Sequence, residues 1–121
     1  MFDNIFTTLP LSRTGKIRAL AVNTAQRSAA APELPSVSES VPGYDANAWF
    51  GLFAPAATPR DIITRLNGDT VKALQTAEMR ERLLGLGATP GGGSPDQFGA
   101  FFRNEVAKWA KVVKQVGVKL D

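Results

Sequence analysis

The sequence predicts an α/β unit with two or three strands and three helices. Three observations carry that reading. Two short runs, 16–23 and 47–54, are almost continuously apolar, as strands covered on both faces are. Three later segments carry helix start signals and apolar residues at helical spacing. The chain has 121 residues, 44% of them hydrophobic and 21% charged, which suits one domain rather than two.

The first strand candidate is Lys16–Asn23, KIRALAVN, which follows Gly15. Residues 25–45 read as a connection punctuated by Pro32, Pro35 and Pro42, with a short helical turn around Val37–Ser40 and a turn at Pro42-Gly43. The second strand candidate is Asn47–Ala54, NAWFGLFA, ending at Pro55. Gly51 inside it points to a bulge or to close approach by another backbone. Alternation sends Trp49 and Phe50 to opposite faces, so at least one of them packs rather than lining a pocket.

Thr58-Pro59-Arg60-Asp61 opens the first helix with a capping Thr, a Pro and an early acid. Ile62, Ile63, Leu66, Thr70, Ala73 and Leu74 share one face, and Gly68 interrupts them at a cost of about 1 kcal/mol relative to Ala. The second helix runs from Ala77 to Leu86, with Gly87 as a left-handed stop. Ser94-Pro95-Asp96-Gln97 is a capping box. The long helix after it repeats Phe98, Phe102, Val106, Trp109, Val113 and Val116 on a core-facing stripe. Gly117 ends it, and Val118 packs back on it.

Composition removes several chemistries. With no Cys there is no disulfide, thiol nucleophile or thiolate site, and with no His there is no imidazole base or triad. A net charge of +3 is weak grounds for nucleic-acid binding. No segment has the apolar length to span a membrane. The first residues, MFDNIFTTLPLSRTGK, lack the pattern of a signal peptide; a complete chain then has no visible export route, and a mature or truncated one has its signal upstream.

The remaining motifs have ordinary readings. GLGATPGGG has the wrong glycine spacing for a dinucleotide loop and follows a helix, so it reads as a connection. Lys108, Lys111, Lys114 and Lys119 read as a solvated helix face. Asp61, Asp69, Glu78 and Glu81 form no evident catalytic pair. Asp61 suits a helix start, and Glu78 with Arg82 an i,i+4 pair. Arg18, inside an apolar run, calls for a salt bridge, an exposed strand end or a carboxylate ligand.

In order, GKIRALAVNTAQRS, PELPSVSESVPGYDANAWFGLFAPAATP, RLNGDTVKAL and MRERLLGLGATPGGGSPDQFGAFFRNEVAKWAKVVKQVGVKLD resemble the C-terminal portion of one receptor family. It is the periplasmic solute receptors of tripartite tricarboxylate transporters, or Bug receptors. The opening MFDN resembles a strand end just upstream. The resemblance implies part of a type II periplasmic-binding-protein-like clamshell that closes on a small organic anion, a carboxylate or amino acid. Residues 1–46 then correspond to a second-lobe segment, 47–57 to a hinge-crossing strand, and 58–121 to helices packed on the first lobe.

By the same resemblance, cleft-facing positions are Asp3, Asn4, Asn23, Thr24, Ala48 and Trp49. Asn23 and Thr24 offer amides and a hydroxyl to a carboxylate, or merely satisfy a turn. Asp3 accepts an ammonium group or faces solvent. No catalytic residue, metal or cofactor is implied. The expected partners are the solute, the membrane permease subunits, and either a second copy or the missing N-terminal receptor portion, because bare sheet edges invite pairing. The expected location is the periplasm. The rival reading is a non-catalytic interaction or oligomerisation module that reuses the fold without a pocket.

Overall fold

The computed structural model describes residues 1–117. The expected packing of Val118 and the fourth basic residue, Lys119, lie outside the described residues. Four α-helices and one 3-10 turn follow in the order α1 (Ile5–Arg13), the turn Val37–Glu39, α2 (Arg60–Gln75), α3 (Ala77–Gly85) and α4 (Pro95–Val116).

The three helices expected from their start signals form as read. Helix α2 begins one residue later than expected, with Pro59 rather than Thr58 at the cap, and Asp61 lies in its first turn. Thr76 accepts from Met79 N–H at 3.3 Å to start α3. Gly87, at φ +83°, takes the left-handed conformation that stops it. The box on α4 is complete: Ser94 Oγ accepts from Gln97 N–H at 3.2 Å, and Gln97 Oε1 accepts from Ser94 N–H at 2.8 Å. Gly117 ends α4 at φ +68°.

Helix α1 carries no such signals. Pro10 lies inside it, where a proline removes a hydrogen-bond donor and costs about 3 kcal/mol. The Asn4 carbonyl starts the helix by accepting from the N–H groups of Thr7 and Thr8, both at 3.1 Å. Leu9 anchors the helix at 4% exposure.

The two expected strands form no ladder within the described residues. Their only trace is an isolated parallel bridge between Val22 and Ser36. Val22 N–H donates to Pro35 O and Val37 N–H to Val22 O, both at 2.9 Å. No backbone hydrogen bond among the described residues involves residues 47–54. The reason is physical: a helix satisfies its own backbone, whereas a strand needs a neighbour to do so.

Two of the buried residues, Val22 and Ser36, are joined by that bridge. Leu9, Val22 and Ala31 form the apolar core, with Ser36 buried beside them. Ser36 Oγ bonds to the Thr24 carbonyl, and Ser38 Oγ donates to Ala25 O at 2.7 Å. Ser36 and Glu39 form a second capping box on the short turn. Arg27 grips Glu39 with two bonds of 2.8 Å, holding its carboxyl at about 2, chiefly through those bonds and then through Ser36 N–H.

The α4 stripe is not the core face the spacing implies. Phe102, Val106, Trp109, Val113 and Val116 all remain exposed. Ile62 and Leu66 of α2 are exposed too. Arg18 is also exposed and stands outside the ion pairs of the described residues. So does the expected Glu78–Arg82 pair, since exposed long side chains gain little by pairing.

Candidate functional site

The alternation expected for residues 49–53 is realised side by side. Trp49 stands edge-on to Phe98, Phe101 and Phe102 of α4, with ring centroids 5.8, 5.2 and 6.1 Å away. Phe53 meets Phe98 and Phe102, each at 5.3 Å. Phe50 turns the other way and meets Phe6 of α1 at 5.3 Å. Between them, a Cβ on Gly51 would lie 2.3 Å from Phe98 Cζ. The close approach at Gly51 is therefore by an aromatic ring, not by backbone.

Glu105 fixes this arrangement. Its Oε2 accepts the indole N–H of Trp49 at 3.3 Å and that of Trp109 at 3.1 Å. Its Oε1 pairs with the Lys108 ammonium. Lys108 also donates to the Asp45 carbonyl at 3.4 Å. Chiefly through Lys108, and despite burial, the Glu105 carboxyl is held below the usual carboxylate range. Lys108 is thus a tether rather than part of a solvated face, and one turn of α4 holds residues 45–49.

The expected cleft residues are drawn together only in part. Asn23 and Ala46 exchange two bonds: Ala46 N–H donates to Asn23 O, and Asn23 Nδ2 to Ala46 O, both at 3.1 Å. This places Asn23 and Thr24 beside the segment that carries Ala48 and Trp49. Asp3 and Asn4 reach the same region through α1, whose Phe6 touches Phe50. Their own bonds are local; Asp3 Oδ1 accepts from Asn4 N–H at 2.7 Å.

Chemically, three of the side-chain donors here are already engaged. Thr24 Oγ1 donates to Gln26 O, Asn23 Nδ2 to Ala46 O, and the Trp49 indole to Glu105. Among the described residues, no acceptor takes the backbone N–H of Thr24 or Ala25. Together with the N–H groups of Ala48 and Trp49, which are likewise unbonded, those two amides are donors this region can turn toward an anion. Glu105 and Lys108 were not legible as a pair with a distant target. Their i,i+3 spacing was visible, but Trp49 and Asp45 lie 56 and 63 residues away.

The comparisons agree with one another. The description "Tripartite tricarboxylate transporter family receptor" matches residues 1–118. Protein BugT of Bordetella pertussis is 37% identical over 119 residues, covering 98% of this chain and 36% of that protein. A solved R. palustris protein with adipate superposes with a TM-score of 0.86 at 40% identity, covering 95% of this chain and 39% of the other. MatC from Rhodopseudomonas palustris with bound malate gives a TM-score of 0.77 at 33% identity, covering 92% and 39%. This chain spans about a third of the length of most of its curated relatives, and 68% of one. With the family description matching residues 1–118 and solved receptors superposing over nearly its whole length, the chain belongs to the tripartite tricarboxylate transporter receptor family.

Proposed function

We propose that this chain forms part of a periplasmic receptor that binds a small carboxylate or amino acid for tripartite tricarboxylate-type uptake. One observation carries the reading. Relatives solved with adipate and with malate share this chain's fold over more than nine-tenths of its length. Both are dicarboxylates, and the Thr24 and Ala25 amides are suited to receive one carboxylate, directly or through water.

The chain acts by binding, not by catalysis. Residues 1–46 contribute one wall of the cleft, 47–57 the crossing between lobes, and the helices from residue 58 onward the other lobe. Ligand favours closure by contacting both walls at once, since only differential contacts shift such an equilibrium. The closed receptor then presents the solute to the membrane permease subunits. Asp3, Asn4, Asn23, Thr24, Ala48 and Trp49 line this chain's share of the cleft, with Trp49 offering its ring rather than its N–H.

The test is thermal melting with saturating dicarboxylates and amino acids, on the chain alone and together with the rest of a receptor. A ligand at one hundred times its Kd adds about 2.7 kcal/mol of stability. An upward shift in either setting, weakened by Thr24→Pro, which removes one amide, is the expected result. No shift in either setting overturns the proposal. The exposed apolar surface favours a second reading, an interaction module with no pocket. Protein binding that no solute modifies is its signature.

A further inference from the structure

Three successive carbonyls, those of Asn23, Thr24 and Ala25, are each held by a donor. Ala46 N–H donates to Asn23 O at 3.1 Å, Ser36 Oγ donates to Thr24 O, and Ser38 Oγ donates to Ala25 O at 2.7 Å. No cis peptide bond occurs among the described residues. In a trans peptide, the C=O of one residue and the N–H of the next point in opposite directions within one plane. Fixing these three carbonyls therefore fixes the N–H groups of Thr24, Ala25 and Gln26, which no acceptor takes among the described residues.

The Thr24 and Ala25 carbonyls converge, because the two hydroxyls that bond them stand 2.8 Å apart. In a strand, successive carbonyls alternate between opposite edges, and so do the N–H groups. Here two in succession turn toward one place, and residues 24–26 form a bend. The Ala25 and Gln26 N–H groups thus turn together to the opposite side, as those of a sheet edge do not. Successive N–H groups on one side of a turn make a concave donor set for an anion. The serines are themselves braced. Ser36 is 2% exposed, its N–H donates to Glu39 Oε1 at 2.9 Å, and Arg27 grips Glu39. Arg27, the nearest cation along the chain, is engaged by that carboxylate, so the donors at 24–26 act as uncharged groups.

We infer that Ser36 and Ser38 are positioning residues for the solute: they hold the Ala25 and Gln26 N–H groups toward the cleft, where these receive one carboxylate of a dicarboxylate. Neither hydroxyl touches the solute. Ser36 sets the Ala25 N–H, and Ser38 sets the Gln26 N–H. Preorganised donors bind without the cost of ordering the bend at the moment of contact. The inference rests on the receptor reading for the ligand and the cleft. It adds Gln26 to the donors of that site and two side chains behind them.

The experiment follows the amides of the isotope-labelled chain by NMR while adipate or malate is added, on the chain alone and together with the rest of a receptor. Residual dipolar couplings read the tilt of the peptide planes before any ligand is present. The expected result in the native chain is a downfield shift of the Ala25 and Gln26 N–H signals on titration. Ser38→Ala tilts the Ala25–Gln26 plane and weakens binding about tenfold, the worth of one well-placed hydrogen bond, at an unchanged fraction folded. Ser38→Thr keeps a hydroxyl and restores both. Ser36→Ala acts in the same way on the Thr24–Ala25 plane, and Ser40→Ala, just past the turn, changes neither. Serines that only stabilise the loop would lower the melt without changing the affinity of the folded protein. Planes that stay in place in both alanine variants, or an affinity that Ser38→Ala leaves unchanged, overturn the inference and leave the receptor reading standing. A native chain whose amides respond to neither dicarboxylate in either setting overturns the receptor reading, and this inference with it.

Discussion

Helix α4 and residues 47–54 lie against each other, and both are rich in aromatic side chains. They differ in how the backbone is satisfied. Every turn of α4 closes its own hydrogen bonds, and Ser94, Gln97 and Gly117 finish the ends. Residues 47–54 close none among the described residues and are held by side chains, through Trp49, Phe50 and Phe53, with Gly51 leaving room for the Phe98 ring. A helix therefore holds its form by itself, whereas an extended segment depends on its neighbours. The bonds that tie the segment to α4 are the place to break this contrast.

The largest effect is expected from Trp49→Ala. It removes the ring that meets three phenylalanines and one of the two indole donors to Glu105. A loss of about 3 kcal/mol is expected, at the low end for a large aromatic because the site is half-buried. Urea melting followed by circular dichroism reads it. Trp109→Ala also removes a donor to Glu105, but from a ring 43% exposed, and should cost far less. Equal losses would mean that Trp49 is no more central than Trp109.

Gly51→Ala comes next. The new Cβ would lie 2.3 Å from the Phe98 ring, so ring or segment must move, at about 2 kcal/mol. A melt unchanged within error would show that the segment does not sit on α4 as described. Glu105→Gln follows, at about 1.5 kcal/mol. An amide oxygen in the place of Oε2 can still accept from both indoles, but the charge that pairs with Lys108 and strengthens those bonds is lost. Tryptophan emission should shift together with the melt, because both indoles donate to this one carboxylate. A melt that falls with no change in emission would separate the stability from the indole bonds.

These sites also mark how far the sequence could be read. Caps are local, so Ser94 with Gln97, and Gly87, could be recognised from a few neighbouring residues. Helix α1 escaped because Pro10 argues against a helix, and what holds it, the burial of Leu9, is tertiary. The apolar runs 16–23 and 47–54 suggested strands, but nothing in a run of letters says what, if anything, pairs with them, and the described residues show only the Val22–Ser36 bridge. The α4 stripe misled for the same reason: spacing reports which face is apolar, not what covers it. In the candidate cleft, Asn23 and Thr24 were placed by resemblance. Their engagement with Ala46 and Gln26, which leaves only amides for a ligand, required the folded chain.

Gly68→Ala tests the other side of the comparison. Gly68 lies inside α2, and a Cβ there meets nothing within 4 Å. Glycine loses more chain entropy than alanine on entering a helix, so the substitution should stabilise by about 1 kcal/mol. The sign is opposite to that of Gly51→Ala, although the chemical change is identical. If both substitutions destabilise, α2 is not the self-sufficient element that its hydrogen bonds imply.

The smallest effect belongs to the Arg27–Glu39 pair, which is about half exposed and therefore well screened. The carboxyl lies at about 2 in the folded chain against an ordinary value of 4.5. The unfolded chain thus binds this proton more readily. The contribution to stability is complete above about pH 4.5 and is lost as pH falls toward 2. Glu105, also held low, adds a slope of the same sign, so the native protein alone cannot assign the loss. Arg27→Met removes the first and largest cause of the Glu39 shift while leaving Glu105 and Lys108 untouched. Melting temperatures between pH 2 and 6 should therefore fall less steeply in the variant than in the native chain. Identical acid slopes would mean that Glu39 is not held by Arg27 in solution, and that the bonded loop around Ser36 depends on its capping box alone.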